Sequence, residues 1–414
     1  MDPGFRRDDG FGWVGGWRVD FDGFADPLPH RQILTARGGF RAARHEKCEE
    51  EPMPAPVKIL VVGLGNMGAS HASAYHRNPG FEIVGLMSPT MKSRKIPAEL
   101  AGYPLFEDFD EALAATKPDA VSINSYPDTH AQYAIKAMNA GAHVFMEKPI
   151  ATNIEDAEEI VALARAKNRK LVLGYILRVH PSWIKFIELG KGLGKPLVMR
   201  LNLNQQSNGP AWTWHKNLID SLIPIVDCGV HYVDVMCQLT GAKPVRVHGI
   251  GAKLWAEAAQ QNYGHLHVTF DDGSVGWYEA GWGPMMSEIA YFVKDVVGPK
   301  GAVSIVAGQA ESGKDTTEEV SDSADIDRHV KTDALKIHYA EVGPDKNFVK
   351  KDEIISMDDE PGHQELCDRE QAFFLKAIQE DLDLSESMDA AVNSLRIVLA
   401  AERSIKEQRS IDLA

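Results

Sequence analysis

From Val57 onward, short apolar runs alternate with stretches whose apolar positions recur at helical spacing. Val57-Lys-Ile-Leu-Val-Val62 reads as a buried strand, Ala69 to Arg77 as a helix, and Phe81 to Met87 as a second strand ending at Ser88-Pro89. A short helix, a strand near Leu105, a helix over Asp108–Ala115 and a strand over Asp119–Asn124 continue the pattern. Helix Thr129–Asn139, strand His143–Met146, helix Ile154–Lys167 and strand Lys170–Tyr175 complete it. This α/β alternation predicts a parallel sheet with helices on both faces. After Tyr175 the rhythm changes. Leu197–Leu203, Val245–Leu254, Gly264–Phe270, Ser274–Ala280, Ile289–Val297 and Ala302–Val306 read as strands, with Asp271-Asp272-Gly273 as a hairpin turn. Few helices interrupt them, notably Asp227–Leu239, so the expectation is an α+β domain around a large, mostly antiparallel open sheet. Gly308–Asp333 is polar and acidic and reads as an exposed insertion or loop. Helices Gln364–Gln379 and Ser387–Gln408 should pack back on the fold.

Composition narrows the picture. The 414 residues hold 44 Lys plus Arg against 59 Asp plus Glu, a formal charge of −15. That balance disfavours nucleic acid and anionic membrane surfaces as partners, since both reward clustered cations. With 44% hydrophobic and 25% charged residues the chain matches an ordinary soluble globular protein. No apolar run approaches the roughly eighteen residues of a membrane span. Cys48, Cys228, Cys237 and Cys367 lie far apart, with no CxxC and no Cys/His cluster, so free thiols, a cytoplasmic setting and no metal site are expected.

Residues 1–52 are a different kind of sequence. They hold seven Arg and one Lys, against twelve Arg and twenty-four Lys afterwards, and show neither strand nor helix period. Arg6-Arg7 is followed by no apolar segment, which argues against an export signal. A disordered leader, a family-specific arm and upstream DNA translated from an early start codon stay open; Met53, just before the first clear strand, favours the last. The division expected is thus 1–52 as that extension, 53–175 as a dinucleotide-binding domain and 176–414 as a domain for substrate and oligomerisation. Without the first 52 residues the charge is −13, because the head holds eight basic and ten acidic residues.

Gly63-Leu-Gly65-Asn66-Met67-Gly68 is G-x-G-x-x-G between a strand and a helix. Gly63 permits the tight turn, Gly65 lets the backbone approach a pyrophosphate, and Gly68 allows close packing, while the helix start offers N–H groups to phosphate. An NAD-specific site usually places an acid at the end of the second strand, where this chain has Ser88-Pro89-Thr90. Lys92, Ser93, Arg94 and Lys95 follow. They favour NADP over NAD, with a solvated basic turn as the competing reading.

Four motifs in order now suggest a relationship. The glycine turn, Tyr126-Pro127-Asp-Thr-His130, Glu147-Lys148-Pro149 and Asp227-Cys-Gly-Val-His231 closely resemble the glucose-fructose oxidoreductase/inositol dehydrogenase/rhizopine-catabolism family, as do Arg178 with Pro181 and the later Asp234. The likeness runs from Val57 to Leu413. It implies a Rossmann domain joined to an α+β domain, a catalytic Lys148, and Met67, Asn124, Pro127 and His130 lining the cofactor; the cofactor site expected also includes Gly63, Gly65, Asn66, Gly68, Ser88, Arg94, Glu147, Lys148 and Arg178. It also implies homodimers or homotetramers formed face to face through the second sheet.

The chemistry points the same way. Oxidising a secondary alcohol needs a hydride acceptor and a base for the hydroxyl proton. Asp227 and His231, four apart at an expected helix start, would share one face. His231 would exchange the proton near neutral pH, and Asp227 would orient its ring, bind a substrate hydroxyl or cap the helix. Lys148 would steady the developing alkoxide. Tyr126, Arg178, His180, Trp214, His215 and Tyr232 are candidates to line a polyol pocket, Trp212 and Trp214 equally to pack beneath a loop. The expected protein is an NAD(P)-dependent dehydrogenase of a sugar, sugar derivative or inositol. Its rivals are an NAD-dependent glycoside hydrolase and a non-catalytic sugar sensor; the joint presence of Lys148, Asp227 and His231 weighs against the sensor.

Overall fold

The computed structural model describes residues 55–286, 293–306 and 332–413. The expectations for residues 1–52, for most of Gly308–Asp333 and for the start of Ile289–Val297 lie outside them, as does Cys48.

The first sheet has the order β3-β2-β1-β4-β5-β6, all parallel, from β1 Val57–Val62, β2 Phe81–Met87, β3 Leu105–Phe106, β4 Ala120–Ile123, β5 His143–Met146 and β6 Leu171–Leu173. Its interior strands are mostly apolar and buried, as strands covered on both faces are, with Lys58 and Glu82 exposed near the strand starts. Helices α1 Asn66–Arg77, α2 Phe109–Thr116, α3 His130–Asn139 and α4 Ile154–Lys167 supply the cover. Two start on side-chain caps, Asp108 accepting from the Glu111 N–H and Asn153 from that of Asp156. Strand order reverses between β1 and β4, the place where such sheets open a crevice at their C-terminal edge.

The second sheet has nine strands in the order β14-β13-β12-β11-β7-β10-β9-β8-β15. These are β7 Val198–Gln206, β8 Pro244–Ala252, β9 Tyr263–Phe270, β10 Val275–Gly283, β11 Lys294–Gly298, β12 Gly301–Val306, β13 Ala334–Tyr339, β14 Glu353–Ser356 and β15 Ile411–Asp412. Every pairing is antiparallel except β7 with β10, which run parallel from Val198↔Val275 to Gln206↔Gly283. β7 extends past the expected Leu203, because Asn204, Gln205 and Gln206 keep the ladder while departing from an apolar pattern. β13, β14 and β15 were not expected; they are short and lie at the two ends of the sheet.

Helices α5 Pro181–Lys191, α6 Gly209–Ser221, α7 Pro224–Asp227, α8 Gly229–Thr240, α9 His363–Gln379 and α10 Ser385–Glu407 cover this domain. α5 buries Trp183, Phe186, Ile187 and Gly190, a helical spacing the strand-dominated reading passed over. The expected helix over Asp227–Leu239 is also corrected. Asp227 closes α7 rather than capping α8, whose N-cap is Cys228 with no side-chain bond. α6 and the α7–α8 segment bend by 87° and wall the cavity described next; among the described residues no single helix is long and apolar enough to cross a membrane.

Candidate active site

Gly63 has φ +85°, and a Cβ there would stand 2.5 Å from the Asn124 carbonyl oxygen; on Gly68 it would meet the Gly63 oxygen at 1.8 Å. Both positions therefore require glycine. Gly65 is different: a Cβ would meet nothing within 4 Å. Its open face stands at the N-terminus of α1, where no side chain caps the first N–H groups. An uncapped helix start beside an open glycine fits a pyrophosphate. Gly65→Ala should thus cost under about 1 kcal/mol of stability yet weaken nucleotide binding by about tenfold or more, whereas Gly68→Ala should not fold; melting curves with cofactor titrations separate the two.

At the end of β2, Ser88 is buried and contacts Thr90. Lys92 is held by Glu107 at 2.6 Å, while Arg94 donates through Nε to the Thr90 hydroxyl at 3.0 Å. Asn124, after β4, donates to the Ser122 hydroxyl at 3.0 Å. Pro127 opens a buried turn, and the His130 ring lies between the carbonyls of Ser125 and Pro149, 3.0 and 2.8 Å from its two nitrogens, where the loop after β4 meets the turn that carries Lys148; the neutral ring donates to one of the two. Burial holds the His130 imidazole below its usual range.

A cavity of about 140 Å³ joins the two sheets, roughly ten times the space one water needs. Its lining includes Met67, Glu147, Lys148, Asp227, Cys228 and His231, together with Gln205, Trp214, His215, Tyr232, Trp282 and His363. Lys148 Nζ meets the Asp227 carboxylate at 3.0 Å and its carbonyl at 3.3 Å. Burial would lower the ammonium's pKa, but Asp227 and then Cys228 and Glu147 outweigh it and hold it above the usual lysine value. Lys148 is therefore a cation at every working pH.

His231 departs from expectation. Burial first, then the Lys148 charge, pushes its imidazole down to about 3, with Glu147 pulling the other way. Its Nδ1 is buried without a hydrogen-bond partner among the described residues. Asp227 pairs with Lys148, and the Tyr175 ring meets the imidazole in a T-shaped contact with centroids 5.6 Å apart. The neutral ring keeps a lone pair facing the cavity site, but burial and Lys148 make it a weaker base than the near-neutral histidine the sequence suggested. Glu147, by contrast, stays ionised well below the usual range: burial opposes this, and a hydrogen bond from His71 with the charge of Lys148 prevails.

Other candidates are placed elsewhere. Arg178 is committed to Asp234 by two bonds of 2.9 and 2.6 Å and is absent from the cavity wall. His180 is buried away from that wall, Tyr126 is 44% exposed, and Trp212 packs edge-on against Trp255 at 4.6 Å. The structure adds residues the sequence did not suggest. Gln205 and Trp282 are register partners on the parallel strands β7 and β10, and the indole donates to the Gln205 side-chain amide oxygen Oε1 at 2.6 Å. The Trp282 ring stacks on His215 at 4.9 Å, forming an aromatic wall. The fold also gathers His71, Cys367 and Glu370, groups of metal-ligating type, although both ring nitrogens of His71 already face protein partners. Among the described residues, Cys228, Cys237 and Cys367 are free thiols.

Comparison with known proteins follows this geometry. Residues 57–175 match the model of an oxidoreductase family with an NAD-binding Rossmann fold, and residues 187–304 match a GFO/IDH/MocA C-terminal domain. The UDP-N-acetylglucosamine 3-dehydrogenase of Acidithiobacillus ferrooxidans is 30% identical over 52% of this chain and 64% of its own, just under two thirds of that enzyme's length. The scyllo-inositol 2-dehydrogenase (NAD(+)) of Bacillus subtilis is 26% identical over 61% of this chain and 75% of its own. In fold, the chain is similar to scyllo-inositol dehydrogenase from Lactobacillus casei, solved with NAD(H) and scyllo-inositol, with a TM-score of 0.63 and 21% identity over 86% of this chain and 99% of that one. The chain belongs to the GFO/IDH/MocA oxidoreductase family.

Proposed function

We propose that this protein transfers a hydride between a nicotinamide nucleotide and a secondary alcohol or ketone of a sugar, sugar derivative or inositol. The observation that carries the reading is the single cavity joining Glu147 and Lys148, at the C-terminal edge of the parallel sheet, to Asp227 and His231 under the second sheet. Residues 53–175 hold the cofactor and residues 176–414 the substrate.

When bound, the nicotinamide supplies the hydride acceptor or donor. The Lys148 ammonium holds the substrate oxygen and stabilises the alkoxide as the hydroxyl proton leaves. His231, neutral and lining the cavity, takes that proton. Asp227 fixes the Lys148 side chain and so sets where the oxygen must sit. The Trp282–His215 stack offers an aromatic wall of the kind that packs on the C–H face of a sugar ring.

NADP is the favoured cofactor. No carboxylate closes β2, and Arg94, donating to Thr90 beside Ser88 just after that strand, supports binding of a 2′-phosphate there. Arg94→Ala should accordingly lower kcat/KM for NADP about tenfold and leave NAD little changed. A homodimer or homotetramer would form through the outer face of the second sheet, where Val198, Val275 and Ile250 are exposed.

A panel of aldoses, ketoses, inositols and sugar acids, each with NAD and NADP, tests the activity by absorbance of the reduced cofactor. Reduction with at least one polyol is expected; cleavage of aryl glycosides without net reduction would overturn the reading. The pH profile gives a second check. Because the folded His231 stays neutral down to about pH 3, kcat/KM for oxidation should lack an acid limb near the ordinary histidine value of about 6.5. A limb there would mean that the ring titrates as an exposed imidazole.

A further inference from the structure

A chain of hydrogen bonds runs from α1 through α9 into the cavity. The Tyr75 hydroxyl donates to Gln371 Oε1 at 2.5 Å, Gln371 Nε2 meets His71 Nδ1 at 2.8 Å, and His71 Nε2 meets Glu147 Oε1 at 2.8 Å. The Lys148 backbone N–H donates to Glu147 Oε2 at 3.1 Å. The polarity is determined from the cavity end. A carboxylate only accepts, so His71 Nε2 carries the proton; Nδ1 then accepts, which points the Gln371 NH2 at it and leaves the amide oxygen for the tyrosine. Every donor in the chain thus points toward Glu147.

The surroundings contain a second carboxyl. Glu370 adjoins Gln371 on α9 and is buried near His71 and Cys367. Burial first, then the nearby charge of Glu147, raises its pKa well above the usual range, which disfavours a second charge beside Glu147. Of the two, it is Glu147 that lines the cavity with Lys148 and Met67. His71, Gln371 and Tyr75 do not appear on the cavity wall. Their effect on the reaction must pass through Glu147.

We propose that His71, Gln371 and Tyr75 are positioning residues that hold Glu147 as an oriented anion, so that the site favours the oxidised, positively charged nicotinamide over the reduced, neutral one. This rests on the reading that the crevice takes a nicotinamide nucleotide. A fixed negative charge in a water-poor cleft acts on the charged form and barely on the neutral one. In the direction of oxidation, the cofactor that must be recruited is the charged form, and the reduced product is held without that contribution.

The test is calorimetric titration of wild type, Glu147→Gln, Gln371→Leu and Tyr75→Phe with NAD+ and NADH and with NADP+ and NADPH. For the pair that wild type binds, Glu147→Gln should weaken the oxidised form about tenfold and leave the reduced form nearly unchanged, the scale of one charge a few ångströms away. Gln371→Leu and Tyr75→Phe should move the same ratio in the same direction, by less. Tyr75→Phe keeps the ring packed against Phe81, so it decides the matter if a more disruptive variant does not fold. Equal weakening of both redox forms, or an unchanged ratio, overturns the inference while leaving the proposed function standing. Wild type that binds neither pair overturns the function itself, and this inference with it.

Discussion

Lys148→Met is expected to lower turnover by about a thousandfold while the folded variant still binds cofactor. The ammonium is the cavity-lining cation held beside the expected alkoxide position, and thioether packing replaces its stem but not its charge. A second effect follows from the same geometry. Removing the ammonium leaves Asp227, which is 6% exposed, without its 3.0 Å partner. A stranded buried carboxylate costs about 3 kcal/mol, so the melting temperature should fall too. Lys148→Met with Asp227→Asn should regain much of that stability and none of the turnover. The pair thus separates chemistry from folding, with kcat at saturating substrate and thermal melts as the measurements. Near-wild-type turnover in Lys148→Met would remove this residue from the reaction.

His231→Gln is expected to reduce kcat by about a hundredfold to ten-thousandfold, the range for loss of a positioned base. Its stability should change in the opposite sense in acid. The folded imidazole titrates at about 3, against about 6.5 for an unfolded histidine. Between those values the unfolded chain binds the extra proton, so the native state loses stability as pH falls below about 6.5. The glutamine cannot titrate, and its melting temperature should fall less steeply between neutral pH and about pH 4. A parallel pH dependence in wild type and variant would mean that the ring is not held neutral by burial.

What could be read from the chain depended on how local each signal was. The glycine turn and the parallel strands were legible because each is one contiguous run: β1 is apolar from Ile59 to Val62, and Gly63 and Gly68 are dictated by contacts made within the turn and with the neighbouring strand. Glu147-Lys148 and Asp227 with His231 were visible as motifs, yet their pairing was not. Four-residue spacing suggested that Asp227 serves His231, whereas the break between α7 and α8 sends the carboxylate across 79 positions to Lys148. The low pKa of His231 was hidden for the same reason, since its burial depends on both domains. Gln205 and Trp282 meet only because β7 and β10 run parallel inside an otherwise antiparallel sheet. Gln371 reaches His71 over 300 positions, and no periodicity records that.

Net hydride transfer is tested most directly by giving the enzyme a responsive polyol deuterated at its carbinol carbons and following the cofactor by proton NMR. Deuterium at nicotinamide C4 of the released, reduced cofactor is the predicted result. A cofactor that stays oxidised while deuterium passes to solvent, or while an aryl glycoside is cleaved, would contradict it.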